Sequence, residues 1–238
     1  MKKIVIASNN IGKLNEIGAI LAPLDIEIVA QSTLGVSEAE EPYCTFVENA
    51  LAKARHASTH TGLPALADDS GICVDALNGA PGVYSAHFAD KPATGGREAQ
   101  DARNNQKLLD LLATVANRKA HYYCVIVLVR SADDPQPIIC EAEWHGEVLT
   151  APRGSGGFGY DPLFLIPSLR KTSAELKAEE KNRISHRGQA LAALAARLAG
   201  LRIEDRGSRT QDRGLRIEDR APQARDLSSR LQPDRKKP

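Results

Sequence analysis

The stretch KKIVIASNNIGKLNEIGAILAPL, residues 2–24, determines the class of fold. Its apolar run at 2–7 predicts a buried strand. Lys13 to Leu24 predicts an amphipathic helix, because leucine and isoleucine recur there at three- and four-residue steps. The polar turn SNN separates the two at 8–10. Since a helix start offers unpaired N–H groups and partial positive charge, this arrangement predicts a site for an anion.

Strands and helices alternate along the rest of the chain. An acidic kink is expected where two carboxylates interrupt the apolar run of 63–77. We predict an α/β fold with a mixed, twisted central sheet flanked by helices, and an active site in a cleft between two lobes. The patterns predict strands at 25–31, 63–77, 121–131 and 138–149 (the last two as a hairpin) and at the end of 152–167, and helices from Thr45 to about His60, at 98–116, from near Ser173 and after Ser185.

Several of the predicted helix starts carry recognisable caps. Thr45 with Glu48, and Thr172 with Glu175, have the spacing of a capping box. Ser185 is placed to cap the last helix. That helix presents an apolar stripe of Leu191, Leu194 and Leu198.

Composition limits the classes of function. No apolar run approaches the roughly 20 residues of a membrane helix, and the run after Lys2 and Lys3 is too short for a signal peptide, so we expect a cytoplasmic protein without membrane contact. From Leu201 onward there are 11 basic and 7 acidic residues, which leaves 20 (31 − 11) and 23 (30 − 7) for the body. A body charge of about −3 argues against stable nucleic-acid binding.

The segment 201–238 differs from the body. LRIEDRG at 201–207 recurs as LRIEDRA at 215–221, among Arg, Asp, Ser and Pro with few apolar residues. Such a composition cannot bury enough surface to offset the entropy of ordering. We therefore predict one domain at 1–200 and a disordered, charged tail at 201–238, with an RNA- or partner-binding arm as the alternative for the tail.

Any metal site would have to use oxygen ligands. The cysteines show no zinc-like spacing, and we expect them to be buried, reduced thiols: Cys44, Cys73, Cys124 and Cys140. Mg²⁺ prefers one or two carboxylates plus phosphate oxygens. The acidic loop at 37–43 and the motif ALADDSG at 65–71 supply candidates. Glu41 and Asp69 would form such a pair if the fold brings the two segments together, with Glu40 as the alternative to Glu41.

Basic and aromatic residues suggest a nucleotide. Lys13, Lys53 and Lys181 lie in separate segments, and a polyphosphate needs several cationic donors that converge. The Walker A pattern is absent, so ordinary P-loop chemistry is not indicated. The aromatic residues of FGYD at 158–161 could stack on a base. The donors of SHR at 185–187 suit an acceptor such as a purine 6-oxo group. Each of these motifs alone is also typical of solvated surface or of the core.

Together the motifs resemble the inosine triphosphate pyrophosphatase family. SNNIGK, ALADDSG, GAPGVYSA, GFGYDP and KNRISHR occur in the order and at the separations of that family, and the resemblance covers roughly residues 3–199. It implies a hydrolase that converts ITP, dITP and XTP to the monophosphate and pyrophosphate, uses Mg²⁺ and forms a homodimer. The set of motifs is specific, although each motif alone is not.

The resemblance also implies roles for single residues. It assigns Asp69 as the catalytic acid, either as a ligand of Mg²⁺ or as general base; because a carboxylate bound to a metal is a poor base, we favour activation of the attacking water by the metal. Asn9 replaces a glycine that many relatives have, so a left-handed backbone there is one expectation. By similarity, the phosphates contact Ser8, Asn9, Asn10, Gly12, Lys13 and Lys53, and Ile11 and Ser70 are further substrate contacts. The base pocket would consist of Phe158, Gly159, Tyr160, Asp161, Lys181, His186 and Arg187.

Two other functions are compatible with the motifs. One is a pyrophosphatase for modified pyrimidine triphosphates. The other is a nucleotide-sensing module without turnover, which the carboxylates disfavour because acids hinder polyanion binding unless a metal is present. A panel of nucleoside triphosphates with Mg²⁺ would separate the three.

Overall fold

The computed structural model describes residues 3–24, 26–92 and 94–207, and the elements lie close to their predicted positions. Short 3₁₀ turns connect several of them. The strands are β1 Lys3–Ile6, β2 Glu27–Ala30, β3 Ala65–Val74, β4 Lys119–Val129, β5 Ile138–Val148, β6 Phe164–Ile166 and β7 Lys171–Thr172. The helices are α1 Ile11–Leu21, α2 Phe46–Thr61, α3 Gly96–Leu111, α4 Ala178–Ile184 and α5 His186–Gly207.

The strands form one mixed sheet in the order β2-β1-β3-β4-β5-β6-β7. β2, β1 and β3 are parallel, and the pairs from β3 to β7 are antiparallel. This confirms the predicted α/β fold with a mixed sheet, and β4 and β5 form the predicted hairpin.

Helices cover both faces of the sheet. α1 and α5 pack on one face, where Leu66 of β3 meets the leucine stripe of α5. α2 packs on the other face against Ala65 and Ala67, because neighbouring strand residues point to opposite sides. A third cluster joins α3 to the far ends of the long strands and to β6. Leu191, Leu194 and Leu198 are buried, as the stripe predicted.

One prediction about β3 was wrong. Residues 65–74 form a continuous strand that pairs with β4 from Ala65 to Val74, without the expected acidic kink. The prediction failed because it took the two adjacent carboxylates, Asp68 and Asp69, as an interruption of the strand. Both are buried and paired with cations, so the strand does not have to break to hydrate them.

The caps explain the helix boundaries. Asn10 caps α1, which therefore begins at Ile11 rather than Lys13. Thr45 accepts from the Glu48 N–H at the start of α2, as predicted. The capping box of Thr172 is present but opens only the 3₁₀ turn Ser173–Glu175. The Ser185 hydroxyl accepts from the Gly188 N–H and caps α5.

The chain end and the cysteines need two corrections. α5 continues to Gly207, so residues 201–207 belong to a helix rather than to the predicted tail; LRIEDR lacks a helix breaker. The rest of the tail prediction falls on 208–238, outside the described residues. All four cysteines are free, but only Cys124 and Cys140 are buried as predicted; Cys73 is half-buried and Cys44 is exposed. Within the three described ranges, no helix has the length and apolar character needed to span a membrane.

Candidate active site

The site lies where β1 ends and β3 continues. β1 pairs with β3 at Ala65 and Leu66, whereas β3 runs on through Asp68 and Asp69. Asp68 points to the face of α1 and α5, and Asp69 to the face of α2. The two adjacent carboxylates therefore meet different partners and do not form one chelating pair.

Asp68 is the centre of a buried ion-pair cluster. One of its oxygens accepts from Lys13 Nζ (3.1 Å), Arg187 Nη2 (3.0 Å) and the Ser70 hydroxyl (3.1 Å). Burial would raise the pKa of this carboxyl group, but Lys13 and Arg187 outweigh burial and hold the pKa well below its usual range. Asp68 thus fixes the positions of two cations, a role that the sequence did not indicate.

Asp69 lies in a different electrostatic environment. Lys53 Nζ donates to Asp69 Oδ1 (3.0 Å) and to Glu41 Oε2 (2.9 Å), so the lysine bridges the two carboxylates. Asp69 Oδ2 is buried and finds no hydrogen-bond partner in the described part of the chain. Burial raises the pKa of Asp69, and Lys53 and Lys13 offset this only in part.

The Glu41–Asp69 pair fits a magnesium ion. The structure supports Glu41 over Glu40, because Glu41 shares Lys53 with Asp69. Among the residues described, no three His, Cys, Asp or Glu side chains converge as a complete metal site. The protein thus offers two carboxylates, one with an unpartnered buried oxygen, and Mg²⁺ commonly takes its remaining ligands from substrate phosphates and water.

Glu16 joins the two halves of the site, and sequence reasoning missed it. Its carboxylate pairs with Lys181 Nζ (3.0 Å) and with the Arg187 guanidinium. Burial would raise its pKa, but Arg187 and Lys181 outweigh burial and lower it. The sequence contained one signal: Glu16 lies three residues after Lys13, and this spacing places both on one helix face.

Arg187 belongs to the ion-pair cluster around Asp68. Its guanidinium donates to Asp68, Glu16 and the Ser70 hydroxyl (2.7 Å), and the side chain is almost fully buried. These contacts occupy both terminal nitrogens and Nε. Arg187 therefore holds the ion-pair cluster together, and its expected contact with the base stays a prediction.

Phe158 lies against the phosphate turn, which we define as residues 8–13. A Cβ added to Gly12 would lie 2.7 Å from the Phe158 ring, so only glycine permits this approach. Lys181 Nζ lies 4.8 Å from the centre of the same ring. The ring predicted to stack on a base therefore contacts both the phosphate turn and a cation of the base site.

The other predicted base residues are buried around Phe158. Tyr160 is a core residue whose hydroxyl donates to Ser85 O (2.8 Å), so it does not present a face for stacking as predicted. Asp161 accepts from Lys181 Nζ (2.6 Å) and from the Phe158 N–H (2.9 Å). Gly159 lies between these anchors with a φ of +62°.

His186 is stacked and neutral. Its ring lies parallel to that of Tyr122, with 4.6 Å between centroids. Burial, followed by Arg187 and Lys181, lowers the pKa of His186 well below its usual value. Its buried Nδ1 has no hydrogen-bond partner within the described residues.

The phosphate turn is partly satisfied by its own side chains. Asn10 Oδ1 accepts from the Gly12 N–H (3.0 Å) and the Lys13 N–H (3.3 Å), so these two amides are not free for phosphate as predicted. Ser8 Oγ accepts from the Asn10 N–H, and Ile11 is exposed. Asn9 accepts from Gln31 Nε2 (3.3 Å) and is not among the residues with positive φ, so a left-handed backbone is not needed there.

The charges of the site do not favour a bare polyanion. Five carboxylates surround four cations, which gives a formal charge of −1 (four minus five). They are Glu16, Glu41, Asp68, Asp69 and Asp161, with Lys13, Lys53, Lys181 and Arg187. These side chains therefore carry no excess of positive charge that would attract a triphosphate without an added cation.

Comparisons with known proteins identify the family. A sequence model described as the Ham1 family matches residues 4–197, and the chain belongs to that family. A dITP/XTP pyrophosphatase of Nitrosomonas europaea is 63% identical over 199 residues, 84% of this chain and 95% of that protein. One of Ralstonia nicotianae is 63% identical over 83% of this chain and 97% of its own length. A HAM1 protein from Coxiella burnetii superposes with a TM-score of 0.76 at 50% identity, covering 84% of this chain and all of that one.

Proposed function

We infer that this chain is a nucleoside triphosphate pyrophosphatase that hydrolyses the non-standard purine triphosphates ITP, dITP and XTP to the monophosphate and pyrophosphate. Membership of the Ham1 family and two relatives named dITP/XTP pyrophosphatase support this inference. The structural observation that carries it is Asp69, whose Oδ1 is held by Lys53 while its buried Oδ2 is unpartnered within the described chain. Such hydrolysis would keep deaminated purines out of DNA and RNA.

The proposed reaction is attack of water on the α-phosphorus, with pyrophosphate as the leaving group. Lys13 and Lys53 lie on the two faces of β3, where they would neutralise charge on the phosphates from both sides. Asp69 Oδ2 belongs to the carboxylate that Lys53 holds, and it has no hydrogen-bond partner of its own within the described chain. It is available either to take a proton from the attacking water or to bind a metal.

We propose Mg²⁺ as the cofactor, held by Glu41 and Asp69. The formal charge of −1 supports a divalent cation, because a triphosphate alone would meet an excess of carboxylates. When bound, Mg²⁺ neutralises phosphate charge and lowers the pKa of its bound water.

Purine selectivity would depend on hydrogen-bond donors in the base site. The wrong base would leave these donors without an acceptor. Lys181 Nζ, held by Glu16 and Asp161, lies over the Phe158 ring. His186, whose Nδ1 is unpartnered within the described residues, is stacked on Tyr122. Donors aimed at a 6-oxo group would face the amino group of adenine instead. Such a loss typically costs roughly 1–3 kcal/mol per group.

The first experiment compares pyrophosphate release from ITP, XTP, dITP, ATP, GTP, CTP and modified pyrimidine triphosphates with Mg²⁺ present. We expect turnover of the first three to exceed the others by a wide margin. Preferred turnover of a pyrimidine would replace the proposal, and binding without any turnover would support a sensing module instead.

The second experiment separates the two roles of Asp69. Asp69→Asn should abolish turnover in either role, with Asp110→Asn on the exposed face of α3 as the matched control. Titration of Mg²⁺ by calorimetry with a non-hydrolysable ITP analogue then decides between them. Weakened Mg²⁺ binding assigns Asp69 as a ligand, unchanged binding assigns it as the base, and parental turnover by Asp69→Asn refutes both.

We further propose a cytoplasmic homodimer with one catalytic domain that includes the whole of helix α5, to Gly207. The family resemblance supports the dimer, and the match at 4–197 agrees with the extent of the domain. Light scattering on the purified protein tests the assembly, because a mass near that of one chain would exclude a stable dimer.

A further inference from the structure

Helix α3 holds the loop that carries Phe158, which we call the base loop (residues 158–161). Asp101 Oδ2 accepts from the Gly159 N–H (2.9 Å), and Asn105 Nδ2 donates to Gly159 O (2.9 Å). The two side chains lie one helical turn apart on the same face. The backbone N–H and C=O of Gly159 are thus both bound by helix α3, which is far from the base loop in sequence.

A neighbouring face of the same helix is bound to a second segment of the chain. Asn104 accepts from the Ala89 N–H (2.8 Å) and donates to Ser85 O (3.2 Å), and Gln100 Nε2 donates to Ala89 O (2.9 Å). Asn104 and Gln100 are buried. The Tyr160 hydroxyl also donates to Ser85 O. α3 therefore connects the base loop to the 85–89 segment, and its position is fixed independently of its contacts with Gly159.

These contacts set the geometry of Phe158. Gly159 has a φ of +62°, a conformation that leaves the neighbouring peptide groups free to swing unless they are held. Asp161 holds the Phe158 N–H on one side, and Asp101 and Asn105 hold Gly159 on the other. The Phe158 ring also packs close against Gly12, so a small rotation of the loop would change the distance between the ring and the phosphate turn.

We propose that Asp101 and Asn105 are positioning residues for purine recognition, acting through Gly159 on the stacking ring of Phe158. The inference rests on the proposed function, since it assumes that the base loop binds the purine. It concerns the base alone: neither residue contacts the Asp68 cluster or the Lys53 bridge, so binding of the phosphates should not depend on them.

The variants follow from the hydrogen-bond chemistry. Asp101→Ala removes the acceptor, whereas Asp101→Asn keeps an acceptor oxygen of the same reach. Asn105→Ala removes the donor, and Asn105→Asp places a carboxylate oxygen against Gly159 O. Gln106→Ala is the matched control, because this amide is exposed on the same helix and contacts only Asp110 among the described residues.

The readouts separate positioning from general stability. For each variant we would measure kcat and KM for ITP, the dissociation constant of ITP, and the inhibition constant of inorganic tripolyphosphate, which lacks a base. We expect KM and the ITP dissociation constant to rise roughly three- to tenfold for Asp101→Ala and Asn105→Ala, the loss typical of one hydrogen bond. The rise in KM and in the ITP dissociation constant should be larger for Asn105→Asp than for Asn105→Ala. For Asp101→Asn and Gln106→Ala both constants should stay near those of the parent. The inhibition constant of tripolyphosphate should not change.

Three results would overturn the inference. In the first, ITP binding in Asp101→Ala and Asn105→Ala equals that of the parent. In the second, tripolyphosphate inhibition weakens as much as ITP binding, which would show a general disturbance of the fold. In the third, Asp101→Asn loses as much ITP affinity as Asp101→Ala. A parent that binds ITP but does not hydrolyse it would refute the proposed function and leave the ITP binding test of α3 intact.

Discussion

Replacing Asp68 and Asp69 one at a time should separate stability from catalysis. The two carboxylates are adjacent in sequence, buried, and similar in size to asparagine. Asp68 pairs with Lys13 and Arg187, whereas Asp69 pairs with Lys53, which retains Glu41 as a partner. Asp68→Asn therefore removes a negative charge that Lys13 and Arg187 share in a buried site. After Asp69→Asn, Lys53 is still paired with Glu41.

The magnitude follows from the burial of the Asp68 cluster. Removing one partner of a buried ion pair typically costs about 3–5 kcal/mol. We take the lower end, about 3 kcal/mol, because the asparagine oxygen still accepts from Arg187 and Glu16 still pairs with that residue. At roughly 2–4 °C per kcal/mol for a domain of this size, the Tm should fall by about 6–12 °C. Asp69→Asn should stay within about 1 kcal/mol of the parent.

The pH dependence has a defined sign. The pKa of Asp68 is held below its usual range in the folded protein, so its stabilisation is present above the unfolded pKa of about 4 and is lost as the pH falls below that value. The difference between parent and Asp68→Asn should thus be largest near pH 7 and shrink in acid. The pKa of Asp69 is raised by burial, so its ionised form does not stabilise the fold at neutral pH.

The assay is denaturant unfolding of the parent, Asp68→Asn, Asp69→Asn and the exposed control Asp110→Asn, in metal-free buffer between pH 3 and 7. Equal unfolding free energies for Asp68→Asn and the parent at pH 7 would refute the ion-pair argument. The argument would also be refuted if Asp69→Asn lost as much unfolding free energy as Asp68→Asn.

Three further predictions concern residues at the edges of the site. Glu16→Gln should raise KM for ITP roughly tenfold or more while kcat changes less, because Lys181 and Arg187 lose a shared carboxylate; unchanged steady-state constants would contradict this. Gly12→Ala should raise KM for ITP with little change in Tm, because the new Cβ displaces the Phe158 ring rather than backbone; a lower Tm with unchanged KM would point to folding instead. Deleting 208–238 should leave kcat/KM for ITP unchanged, and a large loss would give that segment a role in the reaction.

Local patterns in the sequence were sufficient to predict the fold. The leucine stripe of α5, the Thr45 cap and the apolar run of β4 are each determined by residues close in sequence, so periodicity and capping rules could identify them. The failure at β3 has the opposite cause. Whether ALADDSG bends or stays straight depends on Lys13, Lys53 and Arg187, whose proximity is a property of the fold and not of the strand.

The site residues divide in the same way. Asp69 and Lys53 carry charges that a motif can indicate, and they do meet in the structure. The ion pairs of Arg187 could not be predicted, because no spacing shows that its nitrogens bind Asp68, Glu16 and Ser70. Asp101 could not be found at all, since it acts through a backbone N–H that is invisible in a sequence.

The excess of carboxylates has a physical consequence for specificity. A site with only cations would bind any polyphosphate tightly, including the abundant ATP and GTP. Here each lysine of the phosphate region already has a carboxylate partner, Asp68 for Lys13 and Asp69 for Lys53, so a triphosphate must displace existing contacts and gains little net free energy from charge alone. The phosphates are common to all nucleoside triphosphates and contribute little net binding free energy. Differences in affinity between nucleotides must therefore come from the base. Under the proposed function, discrimination would then depend on Phe158, His186 and Lys181, where the wrong purine would leave buried groups without partners.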